Sequence, residues 1–276
     1  MATQTIDMSN VDTCTFNNQN VNEIYLNSGK IWPAPSFDPI FGNNSPSVIS
    51  SVSQTIAAQN MTASDVYNTY GWSLGDTVSI TLTTNEVIQM QIIGINHDTL
   101  SSDHTSKAGL TLQMVNCLAT LYPINDSNTT AGGWQASKMR VTTMPILLAL
   151  LPDEWQGVIK TVDKKSANGG GSYYSATVTS EDKLFLLAEI EIFGTVSSAR
   201  YGANEGSQYA YWVAHNSYAD KKKYYDNAGT PTAIGWWERS SAVSPYQNYF
   251  CCVASFGSSS MAYPSGILGV SFAFCV

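Results

Sequence analysis

The sequence predicts an α+β chain in which short helices and short antiparallel strands are separated by long irregular loops. Three observations carry this. Apolar residues alternate over Thr77–Leu82 and again from Val87 to Ile95, the period of half-buried strands. They recur at helical spacing in Val48, Ile49, Val52, Ile56 and Ala57, and again in Met139, Thr143, Ile146, Leu147 and Leu150. Between Ser197 and Pro231, Tyr, Asn, Gly and Ala accumulate with no period, as in an ordered excursion held by Tyr209, Tyr211 and Trp212.

Taken in order, residues 1–46 form an Asn-, Ser- and Thr-rich arm whose one patterned stretch, Val21 to Trp32, reads as two strands around an Asn-Ser-Gly turn. A lone hairpin is marginal in water, so this piece is expected to attach the chain or to oligomerise it. Residues 47–276 form the main domain. Ser47 is placed to cap the first helix and Thr62 a second that stops before Gly71. A turn at Trp72–Asp76 leads into the strands at 77–82 and 87–95, joined at Asn85-Glu86, and Leu110–Val115 is the third.

Pro145 predicts a break or restart in the stripe that follows Gly132-Gly133-Trp134. Pro152-Asp153-Glu154 has the composition of a helix first turn, with a helix expected to about Val162 and Lys164 and Lys165 near its end. Ser166 to Ser172 reads as a loop, Leu184–Ala188 as a buried strand, and Glu189–Phe193 as an alternating segment.

At 276 residues with 43% hydrophobic content the chain can build a sizeable core as one large or two small domains. A formal net charge of −8, with Lys221–Lys223 the one basic run, argues against nucleic acid as a partner. No run approaches the roughly 18 apolar residues of a membrane span, and the first residues carry no leader pattern. A protein acting outside the cell would then have to leave by another route, for example as part of a virion released by lysis. Five cysteines, Cys14, Cys117, Cys251, Cys252 and Cys275, show neither a CxxC pair nor zinc spacing, so free thiols and no cofactor are expected.

The loop at Asn96–His104 holds the best candidates for metal ligation or acid–base chemistry, His97, Asp98, Asp103 and His104, though their spacing fits no zinc pattern. A solvated turn in which Asn and Asp bond their own backbone is the competing reading. The C-terminal stretch is more unusual. From Ser240 to Val276 there is no Asp, Glu, Lys, Arg or His, and the aromatics Tyr246, Tyr249, Phe250, Phe256, Tyr263, Phe272 and Phe274 stand among small residues. Phe250–Val253 and Gly269–Val276 read as strands, and Ser255–Gly266 as a turn-rich loop presenting Phe256, Met261 and Tyr263.

Several phrases occur together and in order: Trp72-Ser73-Leu74-Gly75-Asp76, Ile92 to Asp98, Gly132-Gly133-Trp134 with Met139-Arg140, Leu150-Leu151-Pro152, Lys183 to Gly194, Glu205-Gly206-Ser207-Gln208-Tyr209 and Trp236-Trp237-Glu238-Arg239-Ser240. Over about residues 50–276 this resembles a bacterial and phage family with a C-type-lectin-like fold, a group that includes the variable proteins of diversity-generating retroelements. The resemblance implies short helices around small antiparallel sheets and a binding surface that varies near the C-terminus, at about 240–263. Glu238, Ser241, Ser271 and Phe272 depart from the family pattern.

On this resemblance Trp236, Trp237 and Arg239 are scaffold. The ligand-binding positions are Ser241, Ala242, Val243, Ser244, Tyr246, Asn248, Tyr249 and Phe250, then Cys252, Ala254, Ser255, Phe256, Ser258, Ser259, Ser260, Ala262 and Tyr263. The implied partner is a protein or glycan receptor on a bacterial surface, with the arm supplying a homo-oligomer or tail-assembly contact. Two alternatives stay open: a structural virion protein without a receptor of its own, and a cysteine-dependent oxidase on the same fold. No calcium-mediated sugar site is expected at the C-terminal stretch, where Glu238 is the last acid.

Overall fold

The computed structural model describes residues 36–168, 177–199, 202–242 and 248–276, together with the backbone of four short strands before them. Those four form two hairpins, β1 (Cys14–Phe16) with β2 (Gln19–Val21) and β3 (Ile24–Leu26) with β4 (Gly29–Trp32). The second is the hairpin expected around Asn27-Ser28-Gly29.

The domain opens with α1 (Pro46–Ala58), capped by Ser45 rather than Ser47 because Pro46 takes the first helical position. In α2 (Ala63–Tyr70) Thr62 and Asp65 form a reciprocal capping box, worth about 1 kcal/mol, and Gly71 ends the helix at φ 77°. Strands β5 (Thr77–Thr81), β6 (Val87–Ile95) and β7 (Leu110–Met114) follow. They join β15 (Ala273–Cys275) in an antiparallel four-stranded sheet of order β15-β7-β6-β5. The last strand of the chain is thus sheet-paired, with Phe272, Phe274 and Cys275 buried.

Helices α3 (Gly133–Ala136), α4 (Met144–Leu150) and α5 (Asp153–Val158) are short, and Met139–Thr143 is a wider π turn that ends at the restart before Pro145. Four readings of the middle of the chain are corrected. The helix begun by Asp153 stops at Val158, and Lys164, Lys165 and Ser166 lie on β8 (Val162–Ala167), paired with β9 (Thr177–Asp182). The rest of the expected loop, 169–172, lies outside the described residues. Leu184–Ala188 is buried but is not a strand: Phe185 makes an isolated bridge to Ala273, and Leu187 O accepts from Arg239 N–H. Glu189–Phe193 is a helix, α6, because Ala188 N–H is held by the Glu191 carboxylate and Gly194 closes the turn.

The expected excursion contains α7 (Ala210–Ala214) and then a regular hairpin, β10 (Lys223–Asn227) and β11 (Thr230–Ile234). The last sheet has the order β12-β13-β14, from Trp236–Ser241, Phe250–Val253 and Ser259–Ala262. The turn-rich stretch 255–266 therefore contains a strand. The architecture is α+β: small antiparallel sheets and few short helices around a large apolar core, with a small satellite cluster of Ala199, Ala242 and Cys251.

Candidate functional site

Two regions carry the residues that could act on a ligand: a polar cleft over a buried charge cluster, and the C-terminal hairpin. The cluster gathers side chains that are distant in sequence. Lys164 Nζ on β8 donates to Asp98 Oδ1 at 2.7 Å, to Glu191 Oε1 at 2.8 Å and to the Tyr209 hydroxyl at 3.1 Å. Asp98 also accepts from Tyr209 OH, at 2.9 and 3.0 Å, and from Thr111 Oγ1 at 2.6 Å. On the far side Arg239 donates through Nη1 and Nη2 to the two oxygens of Glu191, and to the carbonyls of Lys165, Leu186 and Glu205. All five of these ionisable groups are buried.

Burial opposes ionisation of both acids, but the attraction of Lys164 outweighs it at Asp98 and that of Arg239 and Lys164 outweighs it at Glu191; both carboxyls are held below their usual range. Burial likewise opposes the Lys164 ammonium, and Asp98 and Glu191 overcome it, so its pKa is raised. Glu205 goes the other way. Burial pushes it up to about 7, since its partners are the Ala167 N–H and the Ser240 hydroxyl rather than a direct cation bond.

Above this cluster lies a cleft of about 440 Å³ whose walls include His97, His104, Lys107, Asp163, Lys165 and Ser207. The His97 ring stacks on Tyr209, centroids 3.9 Å apart, and burial lowers its pKa. His104 Nδ1 bonds Asp163 Oδ2 at 2.8 Å, which raises its pKa.

The four candidate metal residues therefore separate. His97, Asp98 and Glu191 place ligand atoms within 4.8 Å of one another, and so do His104, Asp163 and Glu181. In the first group the Lys164 ammonium already bonds both carboxylates, filling the place of a cation. Asp103 joins neither; it accepts from Thr105 N–H, Ser106 N–H and Ser106 Oγ, the self-bonded turn that was the competing reading of this loop.

In the C-terminal region, Trp236 and Trp237 are fully buried on opposite faces of β12, with Nε1 donating to Lys221 O at 3.0 Å and to Tyr122 O at 2.7 Å. Of the binding positions read from the sequence, Asn248, Ser255, Phe256 and Tyr263 are exposed. Tyr249, Ala254, Ser258, Ser259, Ser260 and Ala262 are half-buried. Four positions are corrected: Phe250 and Cys252 are buried because β13 is the central strand with both faces covered, and Ser241 and Ala242 are buried at the end of β12, where Ala242 bridges Ala199. Val243, Ser244 and Tyr246 lie outside the described residues.

Tyr249 and Tyr263 stack with centroids 4.2 Å apart. The β13–β14 connection is a three-residue loop, Ser255-Phe256-Gly257, with Gly257 N–H donating to Ala254 O and Ala254 N–H to Ser258 O. Gly257 has φ 96°, and a Cβ there would meet Tyr218 O at 1.7 Å, so glycine is required for Phe256 to stand outward.

Beneath the hairpin, Glu189 accepts from the N–H groups of Ser197, Ser198 and Ala199 and from the hydroxyls of Ser197 and Ser259. Among the described residues Glu238 has no hydrogen-bond partner at either oxygen, and burial, then Glu189 and Glu205, raises its pKa well above the usual range. The same burial sets the thiols. Cys117 and Cys252 are pushed up to about 12, and Cys251 and Cys275 well above the ordinary value, the reverse of what a nucleophilic thiolate needs.

The sequence reading missed Lys164, Glu191, Glu205 and Tyr209 as members of one constellation. The available signal was a pair of acids, Glu189 and Glu191, inside the otherwise apolar run Leu184–Phe193, where a buried charge needs a partner.

No curated protein and no solved structure matches the chain. A family model does: residues 108–276, more than half of the chain, match the domain of unknown function DUF6273, and the chain belongs to that family.

Proposed function

We propose that this chain is a non-enzymatic receptor-binding protein of C-type-lectin-like architecture, a component of a phage tail tip or a bacterial surface adhesin. Its ligand is a protein or glycan receptor held at the β13–β14 hairpin. The observation that carries the reading is a contrast within one segment. Phe256 and Tyr263 are 60% and 48% exposed, whereas every residue of β12 in the same sheet is buried. Aromatic side chains left in water on a rigid base supply contact area at low entropic cost, and hot spots of binding are rich in them.

The charge cluster fits the role of a base. Arg239 ties β12 to Glu191 on α6 and to three backbone carbonyls, so the hairpin stands on an element that cannot shift without leaving buried charges unpaired. The resemblance to retroelement variable proteins adds that the exposed hairpin positions are diversified while this base is kept.

The test is binding of the fluorescently labelled full chain to intact bacteria from a strain panel, compared with Phe256→Ala/Tyr263→Ala. The reading expects a loss of roughly tenfold or more in binding, as for two moderate hot spots, with an unchanged melting temperature. Equal binding by both proteins would sink it. The diversification clause is read in the source genome: a near-copy of the codons for 240–263, differing at adenines and lying beside a reverse transcriptase gene, supports it, and its absence removes it.

A further inference from the structure

We infer that the ligand of this surface includes an extended peptide segment that adds to the open edge of β14 as a fourth strand. The inference rests on the binding role proposed above and names the chemistry of the partner.

The three-stranded sheet ends at β14, which among the described residues pairs on one side only. The register shows which backbone groups are left over. Ala254 N–H donates to Ser258 O at 2.8 Å, so Ala254 and Ser258 form a hydrogen-bonded pair. Such pairs alternate along an antiparallel ladder. Cys252 with Ser260 and Phe250 with Ala262 are therefore the bonded pairs, and the N–H and C=O groups of Ser259 and Met261 point away from β13.

Edge strands in soluble proteins are commonly blunted by a lysine, a proline or a bulge. Ser259–Ala262 holds none of these, and no charged residue occurs anywhere from Ser240 to Val276. Backbone donors and acceptors at strand spacing are matched by another extended backbone, which presents the complementary groups at the same repeat. Four residues span roughly 13 Å, so the docked segment is short.

Side chains around the edge set its character. Met261 and Tyr249 pack at the rim of the small cluster formed by Ala199, Ala242 and Cys251, which offers an apolar neighbour on one face. The hydroxyl of Ser259, bonded to Glu189, lies beside it. The partner segment is uncharged, with an apolar residue next to Met261 and a small one next to Ser259.

Linear dodecapeptides displayed on phage are selected against the immobilised full chain, and enriched sequences are resynthesised with methyl groups on one or the other alternating set of backbone nitrogens. The expected result is about a tenfold loss per methylated nitrogen in one set and little change in the other. Met261→Pro, which removes an outward N–H at an edge position where proline is tolerated, is expected to weaken every selected peptide. Should that variant fail to fold, the methylated peptides give the same reading on the unaltered protein.

No enrichment, or equal binding after methylation of either set, overturns the inference. So does self-association of the chain that Met261→Pro abolishes, which would assign the edge to a second copy. Cell binding that needs Phe256 and Tyr263, with peptides indifferent to methylation, would keep the contact surface and remove strand addition. Peptides that need the β14 edge and not those aromatics would do the opposite.

Discussion

Arg239 on β12 and Glu191 on α6 face each other as a buried two-pronged ion pair, with Arg239 Nη2 donating to Glu191 Oε1 at 2.8 Å and Nη1 to the other oxygen. Removing the arginine leaves Glu191 dependent on Lys164 and the Ala188 N–H, and takes a donor from each of the carbonyls of Lys165, Leu186 and Glu205. Arg239→Ala is expected to cost about 3–5 kcal/mol in urea unfolding, the usual penalty for breaking a buried pair. Arg239→Lys is expected to recover little of this, since a point charge cannot reproduce the guanidinium fork. Full recovery by lysine would show that charge rather than geometry holds the base together.

Stability is expected to fall toward both ends of the pH scale, for opposite reasons. Asp98 and Glu191 have folded pKa values below the unfolded ones, so their contribution is present above about pH 4 and is lost as pH drops further. Glu205 has a folded value raised to about 7, so the folded state holds more protons than the unfolded state between about pH 4.3 and 7. Its contribution is lost as pH rises through that window, with a slope of at most roughly 1.4 kcal/mol per pH unit. Glu205→Gln removes this titration and is expected to make the limb between pH 5 and 8 less steep, the part due to Glu238, whose pKa is also raised, remaining. An unchanged limb in urea midpoints across that range would refute the assignment.

The described thiols, Cys117, Cys251, Cys252 and Cys275, are buried and their ionisation is suppressed. Iodoacetamide at pH 8 is therefore expected to leave all four unmodified in the native chain within an hour and to label them in urea, as read by intact and peptide mass. Rapid native labelling at Cys251 or Cys252 would reopen cysteine chemistry on this fold.

Gly257 decides whether the hairpin tip can form. Gly257→Ala adds a Cβ at a position with φ 96°, 1.7 Å from Tyr218 O, so the backbone of one loop must move. A loss of about 1–3 kcal/mol is expected, with weaker cell binding as Phe256 is re-aimed. Gly229→Ala, at φ 86° and with open space around the added carbon, serves as the comparison: it bears the conformational strain without the clash. Equal losses in the two variants would mean that strain alone, not contact with Tyr218, fixes the loop.

Local pattern was readable from the residues. The alternation that predicts strands at 77–82 and 87–95 matches β5 and β6 to within a residue, and Thr62 and Gly71 bound α2. The same reasoning failed at Glu189–Phe193. An alternating acid and apolar sequence suits a strand, but the Glu191 carboxylate reaches back to the Ala188 N–H and turns the segment into a helix. Lys164 was misplaced for a similar reason: a lysine after a helix pattern reads as a helix end, whereas here the strand places its ammonium in the interior.

By itself the sequence determined where chain segments alternate, cap and turn, and that the charge-free aromatic stretch 240–276 must be buried or in contact. Those properties depend on neighbours a few residues apart, and period records them directly. The tertiary structure decided which charges meet and which aromatics stay in water. Asp98 and Lys164 are 66 residues apart, and Glu191 and Arg239 are 48. Whether Phe250 is interior and Phe256 exterior depends on one being in a central strand and the other on a glycine-closed loop. A one-dimensional pattern gives each residue's preference for burial. Closing the sheets determines which of those preferences are met together, because each buried charge needs a partner that only the folded chain brings within reach.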